Sequence, residues 1–234
     1  MQPFREKNSY QSAVWPGLMM EKKEDHLLFR TPELVETLSS AVYGGGLNRA
    51  NHFVNWKVPL DYSATDPTKL MEEMLAGWGY PVSRSIGLQT AAYIHTASVK
   101  ELVGDEFRMV CVVTAGIGNR ARAGKLRATF PAYQCSTINV FIFIDSSMTQ
   151  SAVVNSIITA TEAKAAALQD LGIHDEDGEQ ATGTTTDSVV VAVSQNSSIY
   201  QTHQFAGVAT SIGNAIGCLV YDAICEVVQS QEDM

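Results

Sequence analysis

Three almost uninterrupted apolar runs constrain the fold of this chain more than any other feature. They cover residues 107–114, 137–144 and 189–193 and are rich in valine, isoleucine and phenylalanine. Runs of this kind are typical of β-strands that are buried on both faces of a sheet. A sheet buried on both faces needs further layers above and below it. The runs therefore predict a layered protein whose sheet lies inside.

Helix patterns lie between the strand candidates. The segment 66–79 has apolar residues on one side and starts with Asp66-Pro67, and the alanine-rich segment 148–171 ends at Gly172. A third helix is predicted over about residues 208–228. Further strands are predicted at residues 27–30, 38–43, 52–58 and 85–94. Because strands and helices do not alternate strictly, we predict an α/β fold, a single-domain layered sandwich with a mixed β-sheet and packed helices.

The length of the chain and the composition of its start predict the domain organisation. The chain has 234 residues, of which 45% are hydrophobic, and this suits one large domain or two small ones. We expect one. Residues 1–25 are polar and carry a charge cluster at residues 21–25. We therefore predict a loosely held polar lead-in over residues 1–25 and a single domain over residues 26–234.

The net charge and the distribution of apolar residues exclude several classes of partner. The net charge is −9 and the 16 Lys and Arg residues are scattered, whereas phosphate binding needs them clustered. The chain contains no apolar run of about 18 residues, and its polar start lacks the core of a signal peptide. We therefore expect a cytoplasmic protein with no nucleic-acid or membrane partner. The number of subunits stays open, a homo-oligomer included.

The cysteines and histidines show no metal-binding pattern. The four cysteines are Cys111, Cys135, Cys218 and Cys225. They form no CxxC pair and most lie among apolar neighbours, so we interpret them as small buried hydrophobes in a reducing compartment. The five histidines contain no HxH or HExxH spacing. We therefore expect no metal site.

The segment 114–124, TAGIGNRARAG, leaves a buried strand and contains three glycines. Such a loop brings backbone N–H groups close to a ligand such as an anion or an oxyanion. It lacks the GxGxxG spacing, and Gly124-Lys125 is followed by Leu126 where a phosphate-binding loop has Ser or Thr. A tight turn without a ligand explains the glycines equally well, so both interpretations stay open.

The segment 181–187, ATGTTTD, places four threonines immediately before a buried strand. Ligands tend to bind at strand ends in α/β sheets. A threonine is a nucleophile only beside an activating base, and Asp187 is adjacent in sequence although strand geometry can turn it to the other face. The alternative, which is the more common, is a turn whose hydroxyls bond their own backbone.

Glu162 and Lys164 interrupt the alanine-rich helix. Residues two apart are separated by about 200° around a helix, so these two cannot share a face. We expect one of them to face inward. An inward Glu162 beside a hydroxyl-rich loop could act as a general base, whereas the ordinary alternative is a solvated helix face.

Seven short segments occur in an order that resembles the adenosylcobinamide amidohydrolase family. They are LSSAVYGGG (38–46), Asn55 in FVNWKVP, GLQTAA (87–92), VTAGIGNRARAG (113–124), STIN (136–139), TEAKAAAL (161–168) and ATGTTTD (181–187). Each segment is short, whereas seven in one order are specific, and the resemblance runs from about residue 27 to 228. It is looser around residues 203–213.

The resemblance implies hydrolysis of the amide that links the corrin ring's propionyl side chain to aminopropanol. This reaction turns adenosylcobinamide into adenosylcobyric acid during corrinoid salvage for coenzyme B12 synthesis. The cobalt then belongs to the substrate, and no protein cofactor is implied. The alternatives are a non-catalytic corrinoid carrier or sensor and a nucleotide-utilising transferase. Because ionisable and hydroxyl groups concentrate in the glycine-bearing segments, we favour the hydrolase.

Chemistry ranks the candidate residues within the matching segments. The catalytic candidates are Glu162, Thr184, Asp187 and Lys164, the lysine either orienting a carboxylate or protonating the leaving amine. The candidates for substrate binding are Thr114, Gly116, Gly118, Asn119, Asn139, Thr182, Gly183, Thr185, Gly45 and Gly46. Backbone N–H groups of residues 116–119 and the Asn119 amide are expected to stabilise an oxyanion. The identity of the nucleophile and the role of His203 stay open.

Overall fold

The three apolar runs form neighbouring strands at the centre of a nine-stranded sheet. The structure is a computed structural model that describes residues 1–60, 62–126 and 136–232. The strands are β1 (Ser9–Gln11), β2 (Met19–Lys22), β3 (His26–Ser39), β4 (Gly46–Lys57), β5 (Ser85–Thr90), β6 (Ser98–Gly104), β7 (Phe107–Ala115), β8 (Arg120–Ala121), β9 (Ile138–Asp145), β10 (Ser147–Met148), β11 (Gly183–Thr184), β12 (Ser188–Val193) and β13 (Thr202–His203). The helices are α1 (Pro67–Gly77), α2 (Gln150–Asp170) and α3 (Ser211–Glu232).

The long strand β3 belongs to both halves of this sheet. The strand order is β1-β2-β3-β12-β9-β7-β6, while β4 lies on the other side of β3 and β5 lies beside β4. The first half of β3 pairs with β2 and its second half pairs with β12, and its register against β4 shifts between Arg30 and Val35. The pairs β9–β12 and β4–β5 are parallel, and the other neighbours are antiparallel. The predicted mixed sheet is confirmed.

The curled sheet folds into two layers that pack through phenylalanine rings. The ring centroids of Phe29 and Phe141 lie 4.9 Å apart, and those of Phe53 and Phe143 lie 5.0 Å apart. The opposite face of β7, β9 and β12 packs against α2 and α3, and α1 packs on β3 and β4. The layers therefore run helix, sheet, sheet, helices. This arrangement confirms the predicted single-domain α/β sandwich, and it explains why the central strands are apolar on both faces.

The helix predictions are confirmed with slightly shifted ends. α1 begins after Asp66, whose carboxylate accepts the N–H of Lys69 at 2.9 Å, and Pro67 is its first residue. α2 ends at Asp170, and Gly172 follows with a φ of +65°, a conformation that glycine adopts without steric cost. These are the start and stop signals that the sequence carries.

The prediction of separate strands at residues 27–30 and 38–43 is wrong. Residues 26–39 form the single strand β3, and Pro32 lies where its register shifts. A proline cannot donate a ladder hydrogen bond, so it occurs in strands mainly at edges and bulges. The break in the apolar pattern therefore marks a bend within one strand.

The prediction that residues 1–25 are loosely held is also wrong. β1 and β2 extend the sheet beside β3, and the core between the layers includes Phe4, Trp15, Leu18 and Met20, all at most 3% exposed. Trp15, Leu18 and Met20 lie in the uncharged stretch 13–20, which Pro16 and Gly17 interrupt, so no helix or strand period marks the segment. Where the domain begins along the chain stays a prediction.

α3 is long and apolar enough to cross a membrane by length and composition alone. Residues 211–230 have a mean hydropathy of 1.4, and 56% of the most apolar part of this span is buried inside the protein. Core helices of soluble proteins pass the same test. The helix is therefore weak support for a membrane span.

The cysteines only partly follow their prediction. Cys111 is buried on β7, and burial raises the pKa of its thiol, which makes it a poor nucleophile. Cys225 is half-buried and Cys218 is exposed, so the prediction of a buried thiol is wrong for Cys218, because it lies on a side of α3 that the core does not cover. Cys135 lies outside the described residues.

Candidate active site

The glycine-bearing turn and the hydroxyl-rich segment lie side by side, because β8 and β11 pair antiparallel. The Asn119 side chain donates to Thr185 Oγ1 at 2.7 Å. The N–H of Ala123 donates to Thr182 Oγ1 at 2.9 Å. The structure thus brings together the two segments that the sequence assigns to one site.

Lys164 faces inward from α2 and forms an ion pair with Asp187. The Asp187 carboxylate also accepts hydrogen bonds from the Thr184 hydroxyl, from the Thr184 N–H at 3.0 Å and from the Ile138 N–H at 3.1 Å. The side chains of Lys164 and Asp187 are only 9% and 12% exposed. Taking an ion pair out of water is costly, and the additional hydrogen bonds to the carboxylate offset that cost. Of the two helix charges, the inward one is Lys164.

Because Gly183 has no side chain, the ion pair can occupy the space beside its Cα atom. A Cβ atom at this position would lie 2.2 Å from Asp187 Oδ2 and 2.6 Å from Lys164 Nζ. No side chain fits at such distances without displacing a charged group. The glycine is therefore required by the close approach of the ion pair.

Two adjoining clefts open beside this segment. The hydroxyl cleft has a volume of about 240 Å³ and is lined by, among others, Val42, Gln89, Ser136, Thr137, Thr186 and Ser188. The turn cleft has a volume of about 360 Å³ and is lined by, among others, Leu60, Tyr93, Gly116, Ile117, Gly118 and Arg120. Ala91 and Ser136 line both clefts. Because side chains alternate along a strand, Thr186 and Ser188 line the hydroxyl cleft while Asp187, between them, points to α2.

Two N–H groups of the glycine-bearing turn, those of Gly116 and Gly118, are used inside the protein. The Gly118 N–H donates to Ser136 Oγ at 2.8 Å, and the Gly116 N–H donates to the Thr137 carbonyl at 2.9 Å. Both groups were expected to stabilise an oxyanion. In this conformation neither is free to do so, because Ser136 and Thr137, directly before β9, supply their acceptors.

The sequence model of the adenosylcobinamide amidohydrolase family matches residues 15–234. The chain belongs to this family. An adenosylcobinamide amidohydrolase of Methanosarcina mazei is 31% identical over 182 residues, which cover 74% of this chain and 80% of that protein. An uncharacterised protein of Methanocaldococcus jannaschii is 29% identical over 164 residues, which cover 62% of this chain and 63% of that protein. The resemblance inferred from seven short segments is confirmed.

Two solved structures are more distantly similar to this amidohydrolase. A β-aminopeptidase of Burkholderia sp. has a TM-score of 0.43 and 11% identity, with 87% of this chain and 77% of that chain covered. A crystal structure of a Pyrococcus horikoshii protein has a TM-score of 0.45 and 9% identity, with 87% of this chain and 76% of that chain covered. These likenesses are too distant to inform the site.

Two predicted substrate-binding residues of the amidohydrolase lie beneath the clefts. Asn139 and Thr114 are each 1% exposed. The Asn139 amide donates to Asn55 Oδ1 at 2.8 Å and to the Gln89 carbonyl at 2.9 Å, and the Asn55 amide donates to Thr114 Oγ1 at 2.8 Å. Both side chains are enclosed and are used in hydrogen bonds that join the two sheet layers. Their predicted contact with substrate therefore stays a prediction that this conformation does not support.

Three predicted positions lie away from the Lys164–Asp187 pair. Glu162 is exposed on α2 and lines a groove against α3, so its predicted role as a base stays a prediction without a partner at this site. Gly45 is exposed in the turn between β3 and β4, and Gly46 is exposed as the first residue of β4; Gly46 has a φ of +78°, which glycine tolerates. Their predicted contact with substrate also stays a prediction.

His203 lies at the far end of the central strands. It pairs with Met148 in the short β10–β13 ladder, and its Nε2 atom lies 3.2 Å from the Glu106 carbonyl oxygen. β10 follows the carboxyl end of β9, whereas the Lys164–Asp187 pair contacts the start of β9. The structure therefore does not bring His203 to the candidate site.

Sequence reasoning missed four hydroxyl residues of the hydroxyl cleft. Thr186 and Ser188 flank Asp187, and strand alternation is the signal that identifies them once Asp187 is known to face α2. Ser136 and Thr137 stand directly before β9 in the matching segment STIN, and no sequence signal separates them from ordinary strand-start residues. Within residues 1–60, 62–126 and 136–232, no group of three or more His, Cys, Asp or Glu side chains is placed to hold a metal ion.

Proposed function

We propose that this chain hydrolyses the amide bond between the propionyl side chain of the corrin ring and aminopropanol in adenosylcobinamide, giving adenosylcobyric acid. The observation that carries the proposal is the family match, which spans residues 15–234. The site supports it, because Lys164 and Asp187 line a groove of about 430 Å³ between α2 and the start of β12, and the Thr184 hydroxyl is hydrogen-bonded to Asp187. The two clefts lie at the same end of β12, on the side that Thr186 and Ser188 face. The cobalt enters as part of the substrate.

Amide hydrolysis needs a base for the attacking oxygen and an acid for the leaving nitrogen. We assign the base to Asp187, because its carboxylate already accepts the Thr184 hydroxyl hydrogen. The Thr184 hydroxyl either attacks the carbonyl carbon itself or holds the attacking water. Lys164 is the only ammonium group that contacts this carboxylate among the described residues, and we assign it the proton that the departing amine takes up.

The reaction balances with one water molecule. Its oxygen ends on the acyl carbon as the new carboxylic acid, and the carbon–nitrogen bond breaks. The nitrogen leaves as the amine of aminopropanol after gaining a proton. If Thr184 attacks first, an ester forms on its hydroxyl oxygen and water then cleaves that ester. Intact-protein mass spectrometry during turnover distinguishes the two routes, because only the first adds the mass of the corrinoid acyl group to the chain.

The function is tested by incubating the purified protein with adenosylcobinamide and analysing the mixture by liquid chromatography and mass spectrometry. The expected products are adenosylcobyric acid and free aminopropanol in equal amounts. A carrier or sensor would return the substrate unchanged, and that result would overturn the proposal. Running the same assay in the presence of a chelator tests the further proposal that the protein itself needs no metal.

The cellular setting is also a proposal. We place the reaction in the cytoplasm, a location supported by the half-buried or buried placement of Cys225 and Cys111 without a disulfide between them. The absence of a nucleic-acid partner is supported by the net charge of −9. The number of subunits stays a prediction that mass photometry can settle.

A further inference from the structure

Large apolar side chains stand exposed at the rim of the turn cleft. Leu60 is 76% exposed and Tyr93 is 53% exposed, and both line this cleft together with Ile117. Exposed apolar side chains that gather around a concave site are typical of a surface that a ligand covers. The turn cleft therefore has the character of a binding surface for a flat apolar group.

Tyr93 is held in place without a ligand. Its carbonyl oxygen accepts the N–H of Thr96 at 3.2 Å and the Thr96 hydroxyl at 2.8 Å. The Lys57 ammonium group lies 5.2 Å from the centre of the Tyr93 ring. These bonds fix the backbone that carries the ring, and the ring itself contacts the Lys57 ammonium group and the His95 ring. The ring therefore stands on an ordered turn with about half of the side chain exposed for stacking.

The adjoining hydroxyl cleft offers acceptors for amide groups. The Thr137 hydroxyl donates to the Thr186 carbonyl at 2.8 Å, and the Thr186 hydroxyl donates to the Ser136 carbonyl at 3.0 Å. Each hydroxyl oxygen keeps lone pairs after donating its hydrogen. Both oxygens can therefore accept N–H groups from amide side chains of a ligand.

We propose that Tyr93 and Leu60 bind a face of the corrin ring, while Thr137 and Thr186 bind amide groups at the ring's edge. The inference rests on the proposed function and deepens it, because it names the surface that selects a corrinoid over a small amide. The corrin ring combines broad apolar faces with an edge of amide groups, and the two adjoining clefts offer these two surfaces in the same arrangement. The clefts, of about 360 and 240 Å³, together fall in the range of about 300–1,000 Å³ for small-molecule sites.

The test separates binding from chemistry. Affinity for adenosylcobinamide is measured by isothermal titration calorimetry in an Asp187→Asn background, in which the substrate is expected to stay intact. Adding Tyr93→Ala together with Leu60→Ala is expected to raise Kd roughly tenfold, because ring stacking and apolar contact are lost. Tyr93→Phe keeps the ring and is expected to retain most of the affinity. Ile199→Ala removes a side chain that is 68% exposed and lines neither cleft, so it serves as the matched control.

Kinetics in the chain with Asp187 intact provide a second readout. The double variant is expected to raise KM for adenosylcobinamide with little change in kcat, and to leave the slow hydrolysis of N-(2-hydroxypropyl)propanamide, which has no ring, unchanged. Unchanged Kd and KM in a chain that hydrolyses adenosylcobinamide would overturn the ring surface and leave the proposed function intact. Equal losses on the corrinoid and on the small amide would overturn it too, because they would indicate general damage. The wild-type chain could also bind adenosylcobinamide without hydrolysing it, while the double variant loses that binding. This result would support the ring surface and overturn the proposed function.

Discussion

At the scale of single residues, the Asp187 carboxylate joins three parts of the fold. It is bonded to α2 through Lys164, to β9 through the Ile138 N–H and to β11 through Thr184. The same carboxylate oxygens are the ones that would accept a proton during hydrolysis. Substitutions here therefore affect both turnover and stability, and each test needs a readout for both.

Asp187→Asn keeps the shape of the side chain and removes its ability to accept a proton. We expect kcat to fall by about 10²-fold or more, the usual contribution of a positioned base. Release of aminopropanol under saturating substrate measures the change, and thermal unfolding shows whether the variant is folded. Asp177→Asn is the matched control, because it removes an exposed carboxylate that also pairs with a lysine. A folded Asp187→Asn variant with wild-type kcat would remove Asp187 from the chemistry.

Gly183→Ala tests the close approach of the ion pair. The added Cβ would lie 2.2 Å from Asp187 Oδ2 and 2.6 Å from Lys164 Nζ, so the charged groups must separate. We expect a loss of at least 2 kcal/mol or so in the free energy of unfolding, as for a buried pair that is disrupted, together with a large loss of turnover. Gly77→Ala, at a helix end with nothing within 4 Å of its Cβ position, is expected to be neutral. Urea unfolding of the two variants side by side would refute this account if both behaved alike.

The sequence identifies which residues carry the chemical groups of this site, but it does not show which of these residues contact each other. Thr184 and Asp187 stand out because a hydroxyl-rich segment precedes a buried strand. Helix period shows that Glu162 and Lys164 face apart, but it does not give the rotation of the helix against the sheet. The choice of Lys164 as the inward residue depends on long-range packing. Asn139 likewise looks like a ligand for substrate until its burial between the layers is known.

At the scale of elements, α1 shows how a local signal fixes a boundary of the site. Asp66 caps the helix through the Lys69 N–H, and Pro67 lines the hydroxyl cleft. The buried residues Met71 and Leu75 then hold the helix against the sheet. The start of this helix therefore sets one wall of the cleft.

Asp66→Ala is expected to lower the free energy of unfolding by about 1 kcal/mol, because the first turn loses its cap. Asp66→Asn keeps an oxygen that can accept the same hydrogen bond, and its effect is expected to be a few tenths of that. Urea denaturation followed by far-UV circular dichroism measures both. Equal destabilisation by the two substitutions would show that the charge, and not the cap, matters.

The elements that could be predicted are those that carry one unbroken period. β7, β9 and β12 are continuous apolar runs, and the helices have clear starts and ends. β6 could not be predicted in the same way, because Lys100, Glu101 and Gly104 interrupt its apolar residues and it lies at the edge of the sheet. β1 and β2 are short, and their existence depends on pairing with β3, which no local pattern encodes.

At the scale of the whole molecule, burial of histidines predicts how stability depends on pH. Burial lowers the pKa of His26, His52 and His95 from the ordinary value of 6.5, and nearby positive charges add to the effect at His52 and His95. His26 is 2% exposed and lies between Asp25 and the Tyr80 hydroxyl; the pairing with Asp25 opposes the shift and does not cancel it. The folded protein therefore resists protonation that the unfolded chain accepts.

Because the folded pKa is the lower one, this contribution to stability is complete above about pH 6.5 and is lost as the pH falls from there toward the folded pKa values. We expect the free energy of unfolding to decrease between about pH 7.5 and pH 5.5, above the range where carboxylates titrate. Urea unfolding at both pH values measures the decrease. His26→Gln, which cannot titrate, is expected to show a smaller decrease than the wild type, and an equal or larger one would contradict this origin.

The bend of β3 has a consequence for how a large substrate reaches the interior. One strand is hydrogen-bonded to β2 along its first half, to β12 along its second and to β4 along both. β3 is therefore the strand along which the two sheet layers are joined. Separating the two layers would break the hydrogen bonds between β3 and its neighbours. The distance between the layers at the strand ends is therefore fixed by the fold. A large macrocycle therefore has to bind across the strand ends at the surface, and only one of its side chains can enter between the elements.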